Sequence, residues 1–211
     1  TPPSGCYCIP AASDCTDDDM ITRVRISTLD NSSTCSAGPP AGYANYTSTV
    51  AAPTVYSGAA NPITVNVPTV WTEQVAVWID YDKSGTFDAS EFTNLGSNVG
   101  NGGILTGNLA IPANAQLGTT RMRVRVRFST AWTNAQPCTA VTFGETEDYN
   151  VNIVPCIPVT ITSSPSSVSA TCGGNASFTA AASGTLPVFG WEWRPNSTSS
   201  WQLVTNGGVY S

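Results

Sequence analysis

Thr120–Ser129 reads TRMRVRVRFS, and its alternation is strict. Arg121, Arg123, Arg125 and Arg127 share one parity; Met122, Val124, Val126 and Phe128 share the other. Successive side chains of an extended chain point to opposite faces, so a period of two separates these sets, whereas a helix would mix them. The stretch is a β-strand with one apolar face and one face of guanidinium groups. Similar runs flank it at Ile21–Leu29 (ITRVRISTL), Ile63–Val67, Val75–Asp80 and Glu147–Val154 (EDYNVNIV). Turn residues separate them, helix signals are nearly absent, and the Gly/Asn-rich segment Gly96–Gly107 reads as a surface loop. Short strands punctuated by turns predict an all-β fold, an antiparallel β-sandwich of jelly-roll-like kind.

The chain has 211 residues, a net charge of -6, one lysine (Lys83) and no histidine. Charged residues make up 10% of it, against roughly a quarter in ordinary globular domains. An acidic chain with so few cations lacks the basic face that nucleic acid requires. No apolar run is long enough to span a membrane. The opening TPPSGCYC has no basic segment followed by an apolar one, so the chain reads as a mature or internal piece.

A break at Val154–Pro158 (VPCIP) divides residues 6–154 from 155–211. Beyond it, an alternating segment and then VFGWEWRP resemble the start of an immunoglobulin-like β-sandwich, with Trp191 or Trp193 as its core tryptophan. Such a domain needs about 100 residues. The second segment is therefore expected to be the N-terminal part of a truncated domain.

Seven cysteines are present: Cys6, Cys8, Cys15, Cys35, Cys138, Cys156 and Cys172. None forms a C-x-x-C pair and no histidine can join them, which argues against zinc and for disulfides in an oxidising compartment. Cys156 is expected to pair with Cys172, or one of them to await a missing strand. Connectivity among the others is open.

The strongest chemical signal is AVWIDYDKSGTFDASE, Ala76–Glu91. It begins as a buried strand and continues as a twelve-residue calcium loop. With Asp80 first, Asp82, Ser84, Thr86, Asp88 and Glu91 take positions 3, 5, 7, 9 and 12, and Gly85 takes position 6. Calcium binds about six to eight oxygens, and alternate residues of a tight loop aim oxygens inward. Gly85 permits the sharp turn, Thr86 offers its carbonyl, Glu91 closes the shell and Phe87 anchors the loop on the core. Without a cation the carboxylates would repel one another. The bland reading is an acidic hairpin turn; the six-position match favours calcium as a structural brace.

A second signal is GETEDY, Gly144–Tyr149. Glu145 and Glu147 share parity with Tyr149, Val151 and Ile153, so they point with the apolar set and need partners. Arginine's planar fork suits a carboxylate. Arg121, Arg123, Arg125 and Arg127 with Glu145, Glu147 and Asp148 are expected to form a structural ion-pair network; Arg23 and Arg25 repeat the pattern. The alternatives are an anion-binding arginine face or, more weakly, a metal site at Glu145, Glu147 and Asp148.

VWIDYDKSGTFDASE, IPANAQLGTTRMRVRVRF, Pro137–Cys138 and GETEDYNVNI together resemble the GEVED domain, with Thr146 where that motif has valine. The resemblance covers about residues 6–154. It implies a β-sandwich module of large secreted or cell-surface proteins of Bacteroidetes, often exported by type IX secretion, and it implies no catalytic residue. The leading expectation is a non-catalytic extracellular module of an adhesin- or filament-type protein, partnered by other domains of the same long chain and by surface glycans or proteins. The alternative is an accessory or carbohydrate-binding domain of a secreted hydrolase, carried by exposed Trp71, Trp132, Tyr43, Tyr46 or Tyr56. Catalysis is disfavoured: without histidine no Ser-His-Asp or Cys-His arrangement exists in the chain.

Overall fold

The computed structural model describes residues 7–185 and 187–205. The chain divides into two compact units after Pro155.

The first unit contains β1 (Arg23–Ile26), β2 (Leu29–Ser32), β3 (Tyr43–Asn45), β4 (Thr54–Ser57), β5 (Ala60–Asn66), β6 (Glu73–Ile79), β7 (Phe92–Ser97), β8 (Ile104–Ala110), β9 (Gly118–Phe128) and β10 (Gly144–Pro155). β2-β1-β5-β8 form a four-stranded sheet; β3-β10-β9-β6-β7 form the larger one, with β4 also on β10. The fold is a β-sandwich, but the larger sheet is mixed. β3 and β4 run parallel to β10, β3 beside Thr146–Asp148 and β4 beside Asn152–Pro155. β10 is 12 residues long, enough for one edge to take two short strands end to end.

Two expected elements differ. Ile21–Leu29 is not one strand but a hairpin, turned at Ser27 (φ +52°) so that Ile26 pairs with Leu29. No Gly or Asn marks that turn; its only trace in the sequence is the parity change from Ile26 to Leu29. Within Gly96–Gly107 only residues 98–103 form the loop, because β8 begins at Ile104 and buries Leu105 and Leu109.

The core lies between the sheets. Val24, Ile63, Val65 and Leu105 of the small sheet meet Val77, Met122, Val124 and Val151 of the large one. A second cluster covers the other face of the large sheet, where Ala76 and Trp78 pack with Phe87 and Trp132, and with Tyr7 at its margin. The large sheet is therefore buried on both faces. That is why AVWI has no polar position: Val77 and Ile79 enter one cluster, Ala76 and Trp78 the other.

In the second unit β11 (Thr160–Ser163) pairs with β12 (Ala181–Ser183), and β13 (Glu192–Trp193) with β14 (Gln202–Leu203). None of its described residues is buried. Trp191 is 41% exposed and Trp193 half-buried, so neither acts as a core tryptophan. Separate two-stranded ribbons offer no facing sheet on which to bury a ring.

Candidate metal centre

β6 ends at Ile79, and the chain returns through residues 80–91 to β7, which pairs back on β6. Asp80 is fully buried, Glu91 nearly so, and Phe87 anchors the loop in the outer cluster. One carboxylate oxygen each from Asp80, Asp82 and Glu91 lie within 4.8 Å of one another.

Backbone amides shape this trio. Ser84 N donates to Asp80 Oδ1 and Gly85 N to Asp80 Oδ2, both at 3.0 Å. Gly85 sits at φ +83°, a conformation that favours glycine and lets its amide turn inward. Tyr81 N reaches Glu91 Oε1 at 2.6 Å, and Asp88 N reaches Glu91 Oε2 at 2.9 Å. A 3-10 turn at Ala89–Glu91 delivers Glu91 to the trio.

The remaining expected ligands behave differently. Asp88 caps that turn, accepting Ser90 N at 2.7 Å and Ser90 Oγ at 2.6 Å. The Ser84 and Thr86 hydroxyls face each other at 3.0 Å. Of the six expected ligand residues, the structure gathers three carboxylates. Sequence reasoning missed Tyr7, whose hydroxyl donates to Asp80 Oδ2 at 2.5 Å. No local signal links positions so far apart.

Burial raises Asp80, against hydrogen bonds from Tyr7 and Gly85. Burial also pushes Glu91 up to about 7, with Asp80 and Asp88 adding to it and the amides of Asp88 and Tyr81 opposing it. Asp82, exposed, is lowered by the Ser84 hydroxyl and amide. Among the described residues no Lys or Arg forms an ion pair with the trio. Lys83 donates to the Leu117 carbonyl instead. An oxygen-only set holding surplus negative charge suits a hard divalent cation.

Beside this corner the arginine ladder lines the outer face of β9. Arg123 grips Asp148 with both arms, Nε to Oδ1 at 2.7 Å and Nη2 to Oδ2 at 2.8 Å; Arg121 and Tyr43 also donate to Oδ2. The expected network extends no further. Cross-strand pairing sets Asp148 opposite Arg123 and Thr146 opposite Arg125, while Glu147 faces Val124 and Glu145 faces Val126. Glu145 and Glu147 thus lie on the apolar face, away from the arginines. That split also separates Glu145 and Glu147 from Asp148, so the three do not form a metal cluster.

Each found another partner. Glu145 accepts the amides of Ile21 and Ser36 at 2.9 and 2.8 Å, and burial raises it. Glu147 accepts the Tyr149 hydroxyl at 2.7 Å, and burial pushes it up to about 8. Gly144 opens the motif at φ +143°, with Val126 O only 2.3 Å from where a Cβ would sit.

Arg125 and Arg127 hold loop carbonyls rather than acids. Arg125 donates to Gln136 O and Thr139 O, and Arg127 to Thr130 O and Ala131 O. Both guanidiniums lie over the Trp132 ring, at 4.5 and 4.1 Å from its centroid. Burial, then the charges of Arg123 and Arg127, pull Arg125 down to about 9. Buried guanidiniums already holding carbonyls and Asp148 are not an open anion-binding face.

The Cys8–Cys138 disulfide fastens segments over this face beside Arg123, and Cys15–Cys35 ties the segment before β1 to the one before β3. Cys156 and Cys172 are free and exposed rather than paired; Cys6 lies outside the described residues. Two disulfides are the chemistry of an oxidising, extracellular-type environment. Among the described residues no helix is long and apolar enough to cross a membrane.

These features define a disulfide-fastened β-sandwich module with an acidic corner between adjacent strands. Residues 74–152 match the model of the GEVED domain family, a span that holds the corner, the ladder and most of β10. No curated protein and no solved structure matches the chain.

Proposed function

We propose that this chain is a non-catalytic extracellular module of a large secreted or cell-surface protein, of adhesin or filament type, braced by calcium at residues 80–91 and by its disulfides. The observation that carries the brace is the convergence of Asp80, Asp82 and Glu91 oxygens, two of these side chains buried, with no ion pair from a Lys or Arg among the described residues. The ion would join the end of β6 to the start of β7. Extracellular calcium modules bind at about 10⁻⁴–10⁻³ M, which suits a standing brace rather than a sensor.

A passive role is supported by the fate of the aromatics. Trp132 and Tyr43 are buried, Tyr46 and Tyr56 half-buried, and Trp71 alone of the five is exposed, edge-on to Phe128. They form no flat row for a sugar chain. A cleft of about 630 Å³ is lined by small residues such as Ala12, Ala37 and Ala41; its one acid, Asp14, is held by Thr16.

Thermal melting tests the proposal. Asp80→Ala and a calcium chelator should each lower the melting temperature, and the two effects should not add. Identical melting of the native protein in calcium and in chelator would contradict the brace.

A further inference from the structure

β6 has a buried acid at each end. Glu73 is its first residue, and Asp80 follows its last. At about 3.3 Å per residue they stand roughly 23 Å apart, so one ion cannot serve both. Glu73 has no exposed surface, and neither of its carboxylate oxygens receives a hydrogen bond. The Asp19 carboxyl, 3% exposed, faces it at hydrogen-bonding range, and Asp19 Oδ1 receives no hydrogen bond either. Asp14, Asp17 and Asp18 add negative charge around Asp19. Among the described residues no Lys or Arg forms an ion pair with Asp19 or Glu73.

The setting is built rather than incidental. Asn98 Oδ1 accepts Glu73 N at 3.0 Å, and Asn98 Nδ2 holds Pro68 O and Trp71 O, each at 2.9 Å. The Trp71 indole donates to Asp17 O at 2.9 Å, drawing the acidic segment across the start of β6. An open cleft lined by Trp71, Thr72, Asn98 and Phe128 lies against the same loops.

A buried pair of carboxyls is satisfied by a shared proton or by a shared cation. One proton bridges two oxygens and leaves the third of these buried oxygens without a donor. A cation accepts several oxygens at once and also offsets the charge of the neighbouring aspartates. We infer that Asp19 and Glu73 form a second hard-cation site, taking calcium through their carboxylate oxygens, with backbone carbonyls and water completing the shell. β6 is then tied at both ends, by one ion to β7 and by another to the segment that leads into β1. This inference does not depend on the loop at residues 80–91.

Calcium counted per chain by native mass spectrometry separates the two sites. The oxidised full chain should hold two ions, Asp82→Ala one, Glu73→Gln one, and the double variant none. Asp19→Asn repeats the Glu73→Gln test at a second residue, and Asp82→Ala provides a reading that leaves Glu73 untouched. Retention of the native count by folded Glu73→Gln or Asp19→Asn would overturn the second site, as would loss of all calcium from Asp82→Ala. The loop reading fails separately, if Asp82→Ala keeps the native count.

Discussion

Asp148 and the Asp80–Glu91 corner pose the same electrostatic problem and meet it differently. Asp148 is fully buried but surrounded by donors of the chain itself, from Arg121, Arg123 and Tyr43. Asp80 and Glu91 are as deeply buried, yet their donors are neutral amides and one hydroxyl. Burial raises both of these acids. A carboxylate with a built-in guanidinium needs nothing from solution; a cluster without one has room for an ion. The contrast predicts that stability at Asp148 is indifferent to calcium and that stability at the corner depends on it.

The largest effect belongs to Asp148. Replacing it with alanine strands two arginines and should cost about 3–5 kcal/mol in urea denaturation, by the same amount in calcium and in chelator. A calcium-dependent cost would break the contrast. Next is the cover over the ladder. Removing Cys8–Cys138 by paired serine substitution should cost about 2–5 kcal/mol, again without regard to calcium, and the fluorescence of Trp132 should report the loosened loop.

The corner comes third. Asp82 is exposed, so Asp82→Ala removes a ligand with little packing loss. In chelator it should change stability by under about 0.5 kcal/mol; in millimolar calcium it should cost about 1–2 kcal/mol. An equal cost in both would merge the two regions into one class.

Last is a pH effect at Glu147. Burial raises it from an ordinary 4.5 to about 8, so the folded chain retains a proton that the unfolded chain releases. That contribution is full below about 4.5 and is lost as pH rises through about 8. Glu147→Gln cannot lose it. The variant should gain on the native protein steadily as pH rises from 5, levelling off above about 8, read from urea midpoints. A constant difference across that range would show that Glu147 is ionised throughout.

Much of this was legible in the sequence. Period-two alternation marked β9 as a strand, and parity placed Glu145 and Glu147 with Tyr149 on the apolar face. The partner choice was not legible, because it depends on cross-strand register. β9 pairs odd residues with even ones of β10, so the odd-numbered arginines share a face with Thr146 and Asp148. The two strands are joined by the connection at 129–143, too long for a tight turn whose type would fix the register. The loop spacing showed where acids could converge but not that Asp88 would turn to Ser90. Tyr7, Asp19 and Glu73 carried no local signal at all, since each matters through a residue far away in the chain.

The most direct test of the calcium brace is a crystal structure grown in calcium, with anomalous data locating the ion. The account predicts a peak about 2.3–2.6 Å from oxygens of Asp80, Asp82 and Glu91. A map in which those carboxylates hold only amides and water, with no peak among them at saturating calcium, would contradict it.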